Sequence, residues 1–454
     1  MIASMQLSQL QKVTGGVLHG ADCGFTNVST DTRSLNPGDL FVALKGPNFN
    51  GNTFVTAAAE KGASAALVSE HPVAALPSVQ VADTRIALGQ LARHNRQQSS
   101  ARIVALTGSQ GKTTVKEMTA SILQQSGAVL STQGNLNNDY GVPLTLLRIE
   151  RQHRYAVIEM GANAGGEIAY TTALVQPDVA HITCVAPTHV EGFGSLAGVA
   201  KAKAEIWHGL RSNGAAVINL DDANIVENFV AAPGIRVVTI SASGKAHAHY
   251  RISQLADDGL AGSRFTIETP QGNKSIALSL PGRHNAANAL AAAALALEAG
   301  ATLEQVQSGL LHMHSVKGRL VIRRGANGSV ILDDTYNASP ASFKAAIDVL
   351  ASQPGTRIVV GGDMGELGSM KEIGHREVGA YAREKGIELF YATGTLMGEA
   401  LAAFGSNSVH AADCVALATL LRPMLNRNVS VLVKGSRSAG MERVVQLLVE
   451  QENG

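Results

Sequence analysis

From Ala101 onward the chain alternates short apolar runs with helical patterns, and this constrains its fold more than any other feature. Residues 103–106, 155–158, 179–185 and 215–219 read as strands, with a helix beginning at Thr113 and another over 196–210. Apolar strands separated by helices are buried on both faces, which calls for a mostly parallel sheet covered by helices on each side. Residues 250–280 alternate polar and apolar positions instead, as an antiparallel appendage does, and 286–299 form an alanine-rich helix. The strand–helix texture resumes after Lys317, with strands at 330–332, 358–360, 389–391 and 429–433, so a second open α/β unit is expected. Ahead of Ala101, strands over 39–44 and 63–69 and helices over 52–62 and 81–99 outline a smaller mixed unit. A chain of 454 residues exceeds one ordinary core, in keeping with several domains.

The first strand of the central stretch runs straight into Thr107-Gly-Ser-Gln-Gly-Lys-Thr-Thr114. Gly108 and Gly111 let the backbone turn so that successive N–H groups of Ser109, Gln110 and their neighbours converge on phosphate oxygens. The helix that follows adds its positive end. Lys112 is spaced to reach the outer phosphates and Thr113 to offer a hydroxyl to Mg2+. Leu106 stands where this loop pattern usually has its first glycine.

Other polar clusters close later strands. Glu159 ends the 155–158 strand where a magnesium-holding acid belongs, and His189 follows the next strand as a possible second metal ligand. Lys203 lies on the Ile206 and Trp207 side of a helix, where a lysine either snorkels or has a chemical role. Asn285 and Asn288 share a face near a helix start, placed either to read a nucleoside edge or to cap the helix. Arg319 opens the third unit, where an arginine can close on phosphates. Asp333-Asp-Thr-Tyr-Asn-Ala-Ser-Pro340 offers two acids, Tyr336, Asn337 and Ser339 to a small polar amine.

A net charge of +1 provides no general field for nucleic acid or an anionic membrane. Three dispersed cysteines, no secretory leader and no apolar run long enough to span a bilayer lead to the expectation of a cytoplasmic protein.

Taken in order, these motifs resemble the ATP-dependent Mur ligases of peptidoglycan synthesis along essentially the whole chain. Carrying the resemblance are Ser29-Thr-Asp-Thr-Arg33, 37–46, the loop at 107–114, Gly134-Asn-Leu-Asn-Asn138, Glu159-Met-Gly-Ala162, 189–195, 200–205, 333–340, 362–368 and 433–438. The asparagine-rich loop, Asp-Thr-Tyr-Asn and Lys-Gly-Ser-Arg-Ser point to the branch that adds D-alanyl-D-alanine. The resemblance implies an α/β protein of three domains. These are a small α/β substrate domain (1–82), a central P-loop ATPase domain with a parallel sheet (83–315) and a C-terminal Rossmann-like domain (316–454). It implies ATP and Mg2+ as cofactors, and UDP-N-acetylmuramoyl-tripeptide and D-alanyl-D-alanine as substrates of a monomer. Gly108, Ser109, Gln110, Gly111, Lys112, Thr113, Thr114, Asn285, Asn288, Arg319 and Asp334 then fall to the nucleotide. Thr113, Glu159, His189 and a carbamylated Lys203 fall to the metals, with Lys112, His189, Lys203 and Arg319 as the catalytic set. Ser29, Thr30, Arg33, Lys45, Gly46, Asn135, Asn137, Asn138, Tyr336, Asn337 and Ser339 fall to the two substrates. The implied reaction runs through an acyl phosphate that an amine attacks. The alternative is another Mur-type or folylpolyglutamate-type ligase with a different amine.

Overall fold

The computed structural model describes residues 1–72, 76–188 and 190–450 of the chain. Three sheets organise it. The first has the strand order Val17–His19, Ser78–Gln80, Ala65–Val68, Leu40–Val42, Val28–Ser29, parallel apart from the first pair. Side chains alternate across it. Leu40, Val42, Ala65 and Leu67 face one core with Leu7 and Leu10, whereas Phe41, Ala66 and Val68 pack on Val55 and Ala58. The helix expected over 52–62 opens as a tight turn at Gly51–Phe54 before Val55–Glu60. The helix expected over 81–99 spans Thr84–Gln97, because the Asp83 side chain accepts from the Arg85 and Ile86 amides and fixes its start. Leu88 and Leu91 on that helix join the Leu7–Leu40 core to Ile103, Ala156 and Ile158 of the second sheet in one apolar cluster.

The second sheet has nine strands in the order Val129–Ser131, Tyr155–Glu159, Arg102–Thr107, Val179–Ile182, Ala215–Asn219, Arg236–Ser241, Tyr250–Asp257, Ser263–Thr269, Gly272–Leu278. It is parallel as far as Tyr250–Asp257, and the last two pairings are antiparallel, as the 250–280 pattern requires. After Arg102–Thr107 the chain builds outward first on one side and then on the other, so the crevice beyond Thr107 is the switch point where such sheets bind ligands. Arg283–Glu298 packs along Lys112–Gln124, and the small alanine side chains permit the close approach.

The third sheet has the order Val321–Arg324, Val330–Asp334, Val429–Lys434, Thr356–Gly362, Leu389–Thr393, Ser408–His410, parallel except for its first pair. It is covered on two faces by separate apolar clusters. Among the described residues no helix is long and apolar enough to cross a membrane, and all three cysteines are free.

Two elements are shorter than their patterns imply. The strand expected over 179–185 stops at Ile182, because Thr183 and Cys184 turn their polar atoms to the glycine loop. The helix over 196–210 is α-helical only to Ala204 and tightens over Glu205–Gly209.

Candidate active site

The loop after Arg102–Thr107 is clamped before any ligand arrives. Thr183 Oγ1 donates to the Gln110 carbonyl. The Ser109 amide donates to Cys184 O at 2.8 Å, and the Ser109 hydroxyl donates to Ala186 O and accepts from Ala186 N, each at 2.9 Å. Gly108 (φ 150°) and Gly111 (φ 77°) occupy backbone conformations that favour glycine. A Cβ on Gly108 would strike Thr183 Oγ1, and one on Gly111 would lie 2.6 Å from Asn288 Oδ1. Lys112 starts the helix and folds back, donating to Gly108 O at 2.7 Å. Burial and the charge of Arg319 pull its ammonium below the usual lysine range, while Glu159 opposes the shift. The cradle is preformed.

Glu159 sits at the end of its strand, 2% exposed. Its amide donates to Thr132 Oγ1 (3.0 Å), and Asn137 Nδ2 donates to Oε1 (2.8 Å). Lys116 fixes Thr132 in turn, donating to its carbonyl at 2.6 Å. Oε2 is buried without a partner. A carboxylate oxygen sealed in that way is one a hard cation would satisfy. Among the described residues no group of three or more His, Cys, Asp or Glu gathers to hold a metal. His189 lies outside the described residues.

Lys203 is buried rather than snorkelling, 2% exposed, and no described carboxylate pairs with it. Burial and the nearby Lys112 push its amine down to about 7. Asn285 Nδ2 donates to Pro281 O at 2.8 Å, and its Oδ1 accepts from Asn288 Nδ2 at 3.1 Å, so the pair is held as a unit beside Gly111.

The third unit closes the cavity from the other side. Arg319 stacks 4.3 Å above the Tyr336 ring and leaves its Nε buried and unpartnered. Lys434 Nζ donates to Asp334 Oδ2 at 2.6 Å and to Asn337 O at 2.9 Å, and Asp334 Oδ1 accepts from Leu320 N. This pair holds the acidic loop in shape. Lys434→Met strands a buried carboxylate and should cost about 3–5 kcal/mol of stability, read as a lower urea midpoint.

A cavity of about 330 Å³ is walled by the phosphate loop, Asn285 and Asn288 on one side and by Arg319, Asp334, Asn337 and Ser339 on the other. A second cavity, of about 660 Å³, is walled by Thr30, Arg33, Lys45, Gly46 and Tyr140, with Phe49 and Phe54 stacked at 5.6 Å. Lys45 is paired with Glu70 at 3.0 Å, and Arg33 with Asp31, whose carboxyl is held at about 2 by hydrogen bonds from Arg33.

Several expected residues support these walls instead of forming them. Ser29 is buried and its hydroxyl donates to Asp31 O. Asn138 Oδ1 accepts from the Gly141 amide at the start of a helix, Asn137 orients Glu159, and Asn135 is exposed. Glu159 and Lys203 sit behind the 330 Å³ cavity, close enough to Lys112 to interact with it electrostatically. Thr183, Cys184 and Tyr140 line the cavities without having been singled out, and Lys434 and Glu366 do so from motifs noted only for the resemblance they carry. Thr183 and Cys184 are the polar residues near the end of the strand expected over 179–185, and Lys434 ends the strand Val429–Lys434.

Residues 24–96, 106–296 and 318–437 match, in turn, the Mur ligase family catalytic domain, the Mur ligase middle domain and the Mur ligase glutamate ligase domain. The chain is 48% identical over 453 residues to the UDP-N-acetylmuramoyl-tripeptide–D-alanyl-D-alanine ligase of Escherichia coli K12, covering 99% of each. Its fold matches MurF from Acinetobacter baumannii at a TM-score of 0.92 and 35% identity, over 98% of both chains. It also matches MurF ligase from Thermotoga maritima in complex with ADP, at 0.82 and 27% identity, covering 93% of this chain and 96% of that one.

Proposed function

The chain belongs to the Mur ligase family, and from that premise we propose how its residues divide the work of joining D-alanyl-D-alanine to UDP-N-acetylmuramoyl-tripeptide with ATP. The products are the UDP-linked pentapeptide of peptidoglycan synthesis, ADP and phosphate. One observation carries the reading: a phosphate loop and an amine-gripping polar loop, from different units, wall a single cavity. An oxygen of the tripeptide's terminal carboxylate bonds to the γ-phosphorus as the bond to ADP breaks. The dipeptide amine then forms the C–N bond, the C–O bond to phosphate breaks, and the amine gives up a proton.

Attack of one anion on another needs concentrated positive charge. Lys112 meets the β- and γ-phosphates, with Arg319 closing from the third unit. Bound Mg2+ supplies further neutralisation of the phosphate oxygens. Thr113 and Glu159 would hold one ion, Oε2 of Glu159 being the unpartnered atom, and His189 with Lys203 the second. An amine at about 7 has the neutral fraction needed to attack carbon dioxide, and the carbamate formed would convert Lys203 from cation to anionic ligand. Asn285, Asn288 and Asp334 face the nucleoside, while Tyr336, Asn337 and Ser339 face the dipeptide. Thr30, Arg33, Lys45 and Gly46 line the place for the uridine diphosphate, and the Asn135–Asn138 loop links it to Glu159. The units 1–82, 83–315 and 316–454 thus take the UDP-substrate, ATP and the amine respectively.

We also propose that the protein works in the cytoplasm as a monomer. Free cysteines and the use of ATP support the first, and two cavities complete within one chain the second. Purified protein given ATP, Mg2+ and the UDP-tripeptide should release ADP on addition of D-alanyl-D-alanine and not of meso-diaminopimelate or glutamate. Turnover with either of the latter, and none with the dipeptide, overturns the assignment.

A further inference from the structure

We propose that Gln110 is a positioning residue that ties the phosphate loop to the amine-binding unit, so that the seating of that unit against the loop is set by one side chain. The inference rests on the ligase reading above and deepens it. Gln110 Nε2 donates to Ser339 Oγ at 3.1 Å across the cavity. Of the described loop residues, only Gln110 reaches the third unit with its side chain. Ser109 turns to Ala186, and Lys112 to Gly108.

Both ends of the contact are anchored. The Gln110 carbonyl is gripped by Thr183 Oγ1 and Cys184 Sγ, so the loop cannot follow a moving partner. Ser339 is buried and caps the helix Pro340–Ala351, its hydroxyl accepting from the Ser342 amide. Its neighbour Asn337 is held through its carbonyl by Lys434. A glutamine amide strung between two fixed points acts as a spacer of set length. Asparagine is one methylene shorter and does not span it.

The chemistry makes that spacing matter. An acyl phosphate left open to water is attacked at carbon by the water oxygen, and the C–O bond to phosphate breaks. The carboxylate and inorganic phosphate return, with ATP consumed and no amide made. A residue that holds the amine-binding unit against the phosphate loop therefore governs the amide formed per ADP. It also governs the KM for the dipeptide, while the backbone donors that hold the nucleotide are untouched.

The test compares Gln110→Ala, Gln110→Asn, Ser339→Ala and the Gln110→Ala/Ser339→Ala double variant, measuring ADP and amide in the same reaction. Loss of one neutral hydrogen bond should raise the KM for D-alanyl-D-alanine by about three- to tenfold in Gln110→Ala, with amide per ADP falling below that of the wild type. The KM for ATP should move by less than about twofold. Gln110→Asn should behave like Gln110→Ala, and the double variant should be no worse than either single one. If Gln110→Ala keeps both the dipeptide KM and full coupling, or shifts the ATP KM equally, the proposal is overturned. Fully additive losses overturn it as well. If loss of the cap unfolds Ser339→Ala, Gln110→Ala against wild type still decides. A wild-type protein that makes no amide from D-alanyl-D-alanine overturns the ligase reading and this proposal with it, whereas a coupled wild type with an indifferent Gln110→Ala overturns this proposal alone.

Discussion

Lys112→Met should fold normally and lose at least about a thousandfold in kcat, because a charge placed at the transferring phosphate has no substitute in the loop. Methionine matches the stem of the lysine and fills the same cleft. The ammonium it removes is already depressed by burial and by Arg319, so folding loses little: one bond to Gly108 O. The effect should therefore separate cleanly, with kcat collapsing, thermal midpoint nearly unchanged and the KM for the UDP-tripeptide held, since the cavity we propose for it is built from other residues. ADP release at saturating substrates, set beside a melting curve, checks it. A loss of less than about tenfold would mean that the charge does not meet the transferring group.

Lys203→Met should also be close to inactive, down by about a hundredfold or more, yet more stable than the wild type at low pH. The sign follows from its amine, lowered from 10.5 to about 7 by burial. Between those values the unfolded chain binds the extra proton, so stability rises with pH across that window. The cost of burying the ammonium is fully present below about pH 7 and gone above about pH 10.5. Methionine abolishes that cost. In buffer free of carbon dioxide, the variant's melting point should exceed the wild type's at pH 6, with the gap closing by pH 10. A gap that does not change with pH would show that Lys203 is not buried as an unpaired amine. Partial rescue of Lys203→Ala by a short carboxylic acid would tie the lost activity to a missing carboxylate-like ligand.

Much of this was legible in the sequence, for identifiable reasons. The central and third sheets were readable because buried parallel strands are continuous apolar runs, and the 250–280 appendage because its alternation differs in period. Val129–Ser131 is too short to show a period, and Arg236–Ser241 begins with an arginine and ends in polar residues, so neither stood out. At the site, the charged residues that flank an apolar strand or open a helix stood out, among them Lys112, Glu159, Arg319 and Asp334, and the structure brings them close together. Their supports did not stand out. Thr132 holding the Glu159 amide, Thr183 gripping Gln110 and Lys434 bracing Asp334 act across sequence gaps of 27, 73 and 100 residues. No local pattern encodes such pairings. Asn137 and Asn138 show the same limit: adjacent and chemically identical, one orients the carboxylate and the other caps a helix.

The apolar cluster running from Leu7 and Leu40 through Leu88 and Leu91 to Ile103 and Ile158 joins the first two of the three large sheets into one body, so that by packing the molecule has two. The first two sheets cannot part without exposing that shared interior, whereas the third keeps its own clusters, met from the second unit by Leu260, and follows in the chain through Val316 and Arg319. A change in the angle between the two bodies would have to be taken up at that joint. The cavity walled by Thr30, Arg33 and Lys45 and the phosphate loop therefore lie on one side of that joint and the Asn337 loop on the other.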